Sequence, residues 1–328
     1  MPTSVPYRES NVRVHIVVAL FFLLVGAGCK PAVPGWPRLA PKPTPPGLWS
    51  EVGIHNHWIT VNIGLPHHGR PPYPVLLNPI VPDHELLERG IGVVRWKTNW
   101  EILSGLSKPK ATPGPGAKKP ETVGAWLLRA PRPGIIGRAY FQLITTEAHE
   151  TIPAVVDYLL TLPDIDPEQI AIAGSSTGGF TALQALAEEP RLALGVVQVA
   201  CGEYRMFLQS SSLGLDDQER WLVDGEMVLD EKYGEKIDAI EPAARAELLP
   251  PRPLLLLSGA QDRAIPPACV HRSADRFAAA FEAAGVPDRF EWVEFEDLGH
   301  DIGPPGQALI LEFLERWLVL DPRLLDVR

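Results

Sequence analysis

Cysteine is scarce in this chain, with three in 328 residues and no Cys-x-x-Cys pair among them. Neither a thioredoxin-like redox motif nor a zinc knuckle can be built on that spacing. Histidine offers no substitute. His55-x-His57 and His67-His68 lack carboxylates or cysteines at ligand spacing and read as exposed hairpin residues, so no metal is expected. Basic charge is in deficit too: 30 Lys and Arg stand against 40 Asp and Glu, a formal net charge of −10. That balance argues against nucleic acid or anionic lipid held by bulk electrostatics. The uncharged run Val14 to Gly28 is short for a bilayer-spanning helix.

What that run does resemble is the h-region of a secretory signal. Arg8 and Arg13 precede it, and it ends at Gly26-Ala-Gly-Cys29-Lys. The small residues before Cys29 resemble a bacterial lipoprotein cleavage box, although Gly26 stands where such boxes usually hold Leu. Residues 1–29 are therefore expected to be a signal peptide, with Cys29 lipidated and a bacterial membrane as partner through that anchor. Plain secretion and an uncleaved anchor are the alternatives. Each exports the domain, to the periplasm or the cell surface. Residues 30–47 carry seven prolines and form a semi-extended tether with nothing to bury.

The folded body is expected over residues 48–320, with 321–328 as a tail. Glu51–Ile54 and Trp58–Ile63 suggest a β-hairpin, Pro74–Asn78 a short buried strand, Asp83–Arg89 a helix and Gly92–Trp96 another strand. Lys108–Pro120 is too rich in proline and glycine for regular structure. In Glu147–Leu162, Ile152, Val155/Val156 and Leu159/Leu160 recur at helical spacing, and Pro153 is tolerable there only in a first turn. Strands follow at Gln169–Ala173, Leu194–Ala200, Pro253–Gly259 and Arg289–Phe295. Helices are expected at His271–Gly285 and Gln307–Leu320. Strands alternating with helices imply an α/β domain with a mostly parallel sheet covered on both faces. Residues 204–250 contain no strand-like run and suit a helical cap between the last strands, where Met206, Phe207, Trp221 and Met227 would line a pocket or form a small core.

Gly174-Ser175-Ser176-Thr177-Gly178 joins the Gln169–Ala173 run directly to Phe180, Leu183 and Leu186/Ala187 at helical spacing. A strand that becomes a helix within so few residues needs a sharp corner. Small residues on either side let the backbones approach, and the apex side chain is pushed outward. Ser176 is that apex. Two further strands end in reactive residues, the first in Ser258-Gly-Ala-Gln-Asp262 and the second in Leu298-Gly-His300. A serine hydroxyl is a poor nucleophile until an imidazole takes its proton, and the imidazole needs a carboxylate to fix its tautomer. Glu203 rivals Asp262 as that acid, since it ends the preceding strand. Asp297 and Asp301 flank the histidine as surface or turn residues.

Taken together, Asp166–Gly179, Leu254–Asp262 and Leu298–His300 make the chain resemble an α/β-hydrolase of the dienelactone hydrolase/prolyl-oligopeptidase-like branch, over roughly Leu48 to Leu320. The resemblance implies Ser176 as nucleophile, His300 as general acid/base and Asp262 as its orienter. One oxyanion donor would be the Thr177 amide. The second would come from the loop after Pro74–Asn78, where relatives carry His-Gly. Here the loop reads Asn78-Pro-Ile-Val-Pro82, and the prolines leave Ile80 or Val81, with Ile80 preferred. The expected activity is cleavage of a small-molecule carboxylic ester through an acyl-enzyme, with no cofactor and no nucleic acid. Peptidase, thioesterase or acyltransferase chemistry fits the same triad, and a weakly active or non-catalytic binding module is the reading from another class. Nothing in the chain resembles an oligopeptidase propeller. Activity is expected to fall as the imidazole protonates. Cys201 and Cys269 both lie near carboxyl ends of strands and could pair.

Overall fold

The computed structural model describes residues 50–54, 59–98, 144–210 and 231–318. Eight strands form one sheet in the order β1-β2-β4-β3-β5-β6-β7-β8. They are β1 (Ser50–Ile54), β2 (Ile59–Gly64), β3 (Tyr73–Leu77), β4 (Gly92–Thr98), β5 (Ile165–Ser175), β6 (Leu192–Gln198), β7 (Leu254–Gly259) and β8 (Phe290–Phe295). β1 and β2 form the expected antiparallel hairpin, and β2 also runs antiparallel to β4. Every other pairing is parallel.

The central strands carry apolar runs, Ile170–Ala173 in β5 and Leu254–Leu257 in β7, because both of their faces are covered there. Side chains alternate across a strand, so one run serves two cores. In β7, Leu254 and Leu256 join the core on one face while Leu255 and Leu257 join the other. The first face is covered by α2 (Ile152–Leu159), α3 (Thr177–Glu188) and α6 (Pro267–Ala283); the second by α1 (Asp83–Leu87) and α7 (Gly303–Trp317). Truncating a fully buried leucine such as Leu256 to alanine would cost about 2–5 kcal/mol.

Pro153 stands differently from expectation. Helical backbone already runs from Ile144, and Glu147–Thr151 forms a π turn immediately before α2. Proline supplies no N–H and its ring collides with the carbonyl four residues back. Widening the preceding turn to i→i+5 bonding relieves both, so the proline sits inside a longer helical run.

Between β6 and β7 the described residues form α4 (Tyr204–Ser210), α5 (Glu231–Ile240) and a 3₁₀ turn (Pro242–Leu248). Phe207 is buried against Phe180 of α3, with ring centroids 4.6 Å apart, and Met206 packs on the same core. These two residues therefore hold the helical excursion down against the body. Trp221, Met227, the 1–29 and 30–47 segments, Lys108–Pro120 and the 321–328 tail lie outside the described residues.

Glu188, at the end of α3, ties this excursion to the body. His149 Nδ1 lies 2.7 Å from one carboxylate oxygen, and Arg245 donates to the other at 2.6 Å. Burial opposes the charge, but the bonds from His149 and Arg245 outweigh it and hold the carboxyl below its usual 4.5. A lowered folded-state pKa contributes stability that is complete above the unfolded value and is lost as pH falls through the folded one. Glu241 works in the opposite sense, because burial pushes its carboxyl up despite the Arg205 backbone N–H. The gap in unfolding midpoint between wild type and Glu188→Gln should therefore shrink as pH falls below about 4.5. A gap that stays constant would contradict this account.

Candidate active site

The corner between β5 and α3 is built by steric exclusion. Ser176 occupies φ 54°, ψ −122°, a conformation that side chains rarely adopt. Its N–H donates to the Gln198 carbonyl of β6 at 2.9 Å, and its own carbonyl accepts from Phe180 N–H at 3.1 Å, which opens the helix. A Cβ at Gly174 would lie 2.0 Å from the Gly178 oxygen, so no larger residue fits. At Gly178 the added Cβ would meet only Asn78 Nδ2, at 3.4 Å. The two glycines of the motif should therefore behave differently. Gly174→Ala is expected to cost about 3 kcal/mol or more by overpacking, whereas Gly178→Ala should fold with little loss, as thermal unfolding of the pair would show.

Strain is concentrated here. The positive-φ residues other than glycine, among those described, are Asn78 (50°), Ser176 (54°) and Val199 (45°). They follow or close β3, β5 and β6, which are neighbours in the sheet. Functional sites are where such backbone strain tends to be stored.

Asp262 and His300 arrive on loops stitched to each other. Ala260 N–H donates to the Phe295 carbonyl at 3.0 Å and Gln261 N–H to the Leu298 carbonyl at 2.9 Å, so the loops after β7 and β8 are tied to each other. A Cβ at Gly259 would fall 2.3 Å from the Gly299 oxygen, and that closeness sets the spacing of the two side chains. Asp262 is buried. Its Oδ1 accepts from the amides of Ala264 and Ile265 at 2.8 and 3.0 Å. Oδ2 lies 2.8 Å from His300 Nδ1, and His300 Nε2 lies 2.9 Å from Ser176 Oγ. A carboxylate can only accept, so it assigns the proton to Nδ1 and leaves the Nε2 lone pair facing the serine hydroxyl. That arrangement can draw a proton from Ser176 as its oxygen attacks.

Glu203, the rival acid, is elsewhere engaged. It is buried, and Arg272 and Arg276 of α6 lie 3.2 and 2.8 Å from its Oε1. Asp301 accepts from the Gly303 amide at the start of α7. Cys201 and Cys269 form a disulfide, joining the segment after β6 to α6. His68 is exposed, with its ring 3.2 Å from the Glu88 carbonyl, and no cluster of metal-ligating side chains occurs among the described residues. Cys29, His55 and His57 lie outside them. None of the described helices is long and apolar enough to cross a membrane.

Thr177 begins α3, where amides have no intrahelical acceptor, and among the described residues the N–H groups of Thr177 and Ile80 have no backbone acceptor outside regular elements. Ile80 rests its side chain on the second core. Asn78 escaped the sequence reading. Its own N–H is committed to the Val94 carbonyl at 2.7 Å, and its side chain lines a cavity of about 170 Å³ with Trp96, Glu147, Ile152, Thr177 and Thr181. A strand-ending Asn before Pro was the available signal.

An elbow serine, a histidine and a buried aspartate at the carboxyl ends of successive strands of this sheet define a serine hydrolase of the α/β-hydrolase fold. The family model for prolyl oligopeptidases, peptidase S9, matches residues 140–319, and the chain belongs to that family. A search of curated proteins finds no match in sequence. Among solved structures, the chain is similar to Pyrococcus horikoshii acylaminoacyl peptidase at 16% identity and a TM-score of 0.55, covering 84% of this chain and 41% of that one. It is also similar to a Mycobacterium tuberculosis puromycin-hydrolyzing peptidase, at 19% identity and TM-score 0.54 over 84% and 40% of the two chains. A carbohydrate esterase family 15 glucuronoyl esterase from Caldicellulosiruptor kristjansonii matches at 17% and 0.50 over 79% and 72%. The chain thus spans about two-fifths of the length of the two peptidases. At these identities the likeness concerns the fold.

Proposed function

We propose that this protein is an exported esterase that cleaves a small carboxylic ester through an acyl-enzyme. Ser176 attacks the ester carbonyl, and His300 takes the hydroxyl proton and returns it to the departing alcohol. Asp262 holds the imidazole, and the Thr177 amide stabilises the oxyanion. Water then repeats the sequence on the acyl-enzyme. The observation that carries the proposal is the unbroken hydrogen-bonded line from Asp262 through His300 to a strained elbow serine.

Ester is preferred because the glucuronoyl esterase, of the three structures compared, is the one this chain covers over most of its length. A peptidase is the second reading, favoured by the family match and the acylaminoacyl peptidase likeness. Export rests on the 1–29 segment and gains support from the disulfide, since such bonds persist in oxidising compartments. Cys29 would carry the lipid that anchors the protein to a bacterial membrane.

Fluorophosphonate labelling of the protein beside Ser176→Ala and His300→Ala is the first test. Labelling lost in both variants supports the nucleophile and base. No labelling of well-folded wild type would sink the hydrolase reading and leave a binding module. A panel of ester, thioester and peptide substrates then separates the chemistries, and turnover of peptides alone would replace esterase by peptidase. Metabolic labelling with a fatty-acid analogue, with Cys29→Ala as control, tests the anchor.

A further inference from the structure

We infer that the side-chain amide of Asn78 donates the second hydrogen bond to the oxyanion, in place of the backbone N–H of the following loop. This rests on the serine-hydrolase reading of Ser176. The oxyanion develops in front of the Thr177 N–H at the start of α3, and a second donor must reach the same point. Backbone sources are few. The Asn78 N–H is spent on Val94, and Pro79 and Pro82 have none. Among the described residues the Ile80 N–H has no backbone acceptor outside regular elements, but its side chain is drawn to the second core, the face of the sheet away from α3.

The Asn78 side chain has the opposite disposition. It follows β3, beside β5 in the sheet, and its Nδ2 lies 3.4 Å from where a Gly178 Cβ would be, over the first turn of α3. Asn78 and Thr177 line the same cavity. No hydrogen-bond partner for its amide occurs among the described residues, and the side chain is half-buried, so the donor is available to a ligand in the cavity. The positive φ of 50° at this position turns the side chain toward the helix rather than continuing the strand, and asparagine tolerates that conformation better than most residues. Beside it, the hydroxyl of Thr177 is buried without a partner, so the cavity wall next to the nucleophile carries two unused donors.

The step balances as ordinary acyl transfer. The Ser176 Oγ–carbon bond forms while the carbonyl π pair moves onto oxygen. The hydroxyl proton passes to His300 Nε2. The new oxyanion accepts from Thr177 N–H and Asn78 Nδ2–H until it collapses and the alcohol leaves with the proton from His300. Both donors are neutral, so this arm of the site adds no titrating group to the pH profile.

Asn78→Gly tests the assignment cleanly, because glycine takes a positive φ without strain and lacks the amide. Ester turnover and fluorophosphonate labelling rate would be measured for wild type, Asn78→Gly and Ile80→Pro, with thermal unfolding to confirm that each is folded. The expected result for Asn78→Gly is a loss of about 10²–10³ in kcat with KM little changed, a matching slowing of labelling and an unaltered unfolding midpoint. Ile80→Pro, which removes that N–H together with the isoleucine's packing on the second core, should stay near wild type in rate where it remains folded. Wild-type activity in Asn78→Gly would overturn the assignment, and a collapse confined to a folded Ile80→Pro would transfer the role to the Ile80 backbone. Wild-type protein that never labels would instead overturn the reading of Ser176, which distinguishes the two failures.

Discussion

His300→Ala is expected to lower kcat for an ester substrate by about 10⁶-fold, and Asp262→Asn by about 10⁴-fold, with the fold intact in both. The difference follows from what each group does. Among the described residues His300 is the base hydrogen-bonded to Ser176 Oγ, and its loss leaves the hydroxyl proton without that acceptor. Asparagine at 262 can still receive the Ala264 and Ile265 amides on one oxygen, so the loop keeps its shape. Its NH₂ group then faces His300 Nδ1 as a donor, which forces the ring into the tautomer that presents N–H, not a lone pair, to the serine. The Ser176→Ala/His300→Ala pair should be no worse than either alone, because the residues act as a unit. Glu203→Gln separates the two candidate acids. It should leave kcat near wild type, since Glu203 faces Arg272 and Arg276 and not the imidazole. If Glu203→Gln and Asp262→Asn fall equally in rate, the assignment of the acid is wrong.

Removing the disulfide should destabilise the protein by an amount comparable with a large core truncation. Cys201 and Cys269 close a loop with a sequence separation of 68, for which chain-entropy arguments give about 4 kcal/mol at most and typical measurements about 2–4 kcal/mol. In a domain of this size each kcal/mol moves the unfolding midpoint by about 2–4 °C, so Cys201→Ala/Cys269→Ala should unfold visibly earlier. Both sulfurs are fully buried, so the double variant is a cleaner probe than added thiol. Activity below the transition should survive, because the backbone bonds between the β7 and β8 loops hold Asp262 to His300 independently of the disulfide. An unchanged midpoint would mean that the unfolded chain is already compact across this loop, or that the bridge is not formed in the protein as produced.

Much of this molecule is written in runs of adjacent residues. The elbow is local: Gly174 must be glycine because its neighbour four residues on comes within 2.0 Å of its missing Cβ, and that closeness is a property of the turn itself. The Leu254–Leu257 run declares a strand buried on both faces, and the spacing of Ile310, Phe313 and Leu314 declares the closing helix. The order serine, acid, histidine at strand ends was equally legible, because motif and strand adjoin in the chain.

Tertiary structure decided the rest, and the reason is the same each time. Asp262 and Glu203 each follow a strand, and both are buried. Arginines on α6, some 70 residues beyond Glu203, claim that carboxylate, while backbone bonds between two loops carry Asp262 to an imidazole 38 residues away and that imidazole to a serine 124 residues away. Pro153 reads locally as a helix start, yet packing continues the helix through it by widening one turn. Asn78 reads as the residue before a proline, and only the sheet order, which sets β3 beside β5, brings its amide over the nucleophile's helix. Periodicity and backbone strain are encoded between neighbours, so the sequence by itself determined the strands, the helices and the elbow. Which polar groups meet depends on strand order and loop docking, and those exist only once the sheet has assembled.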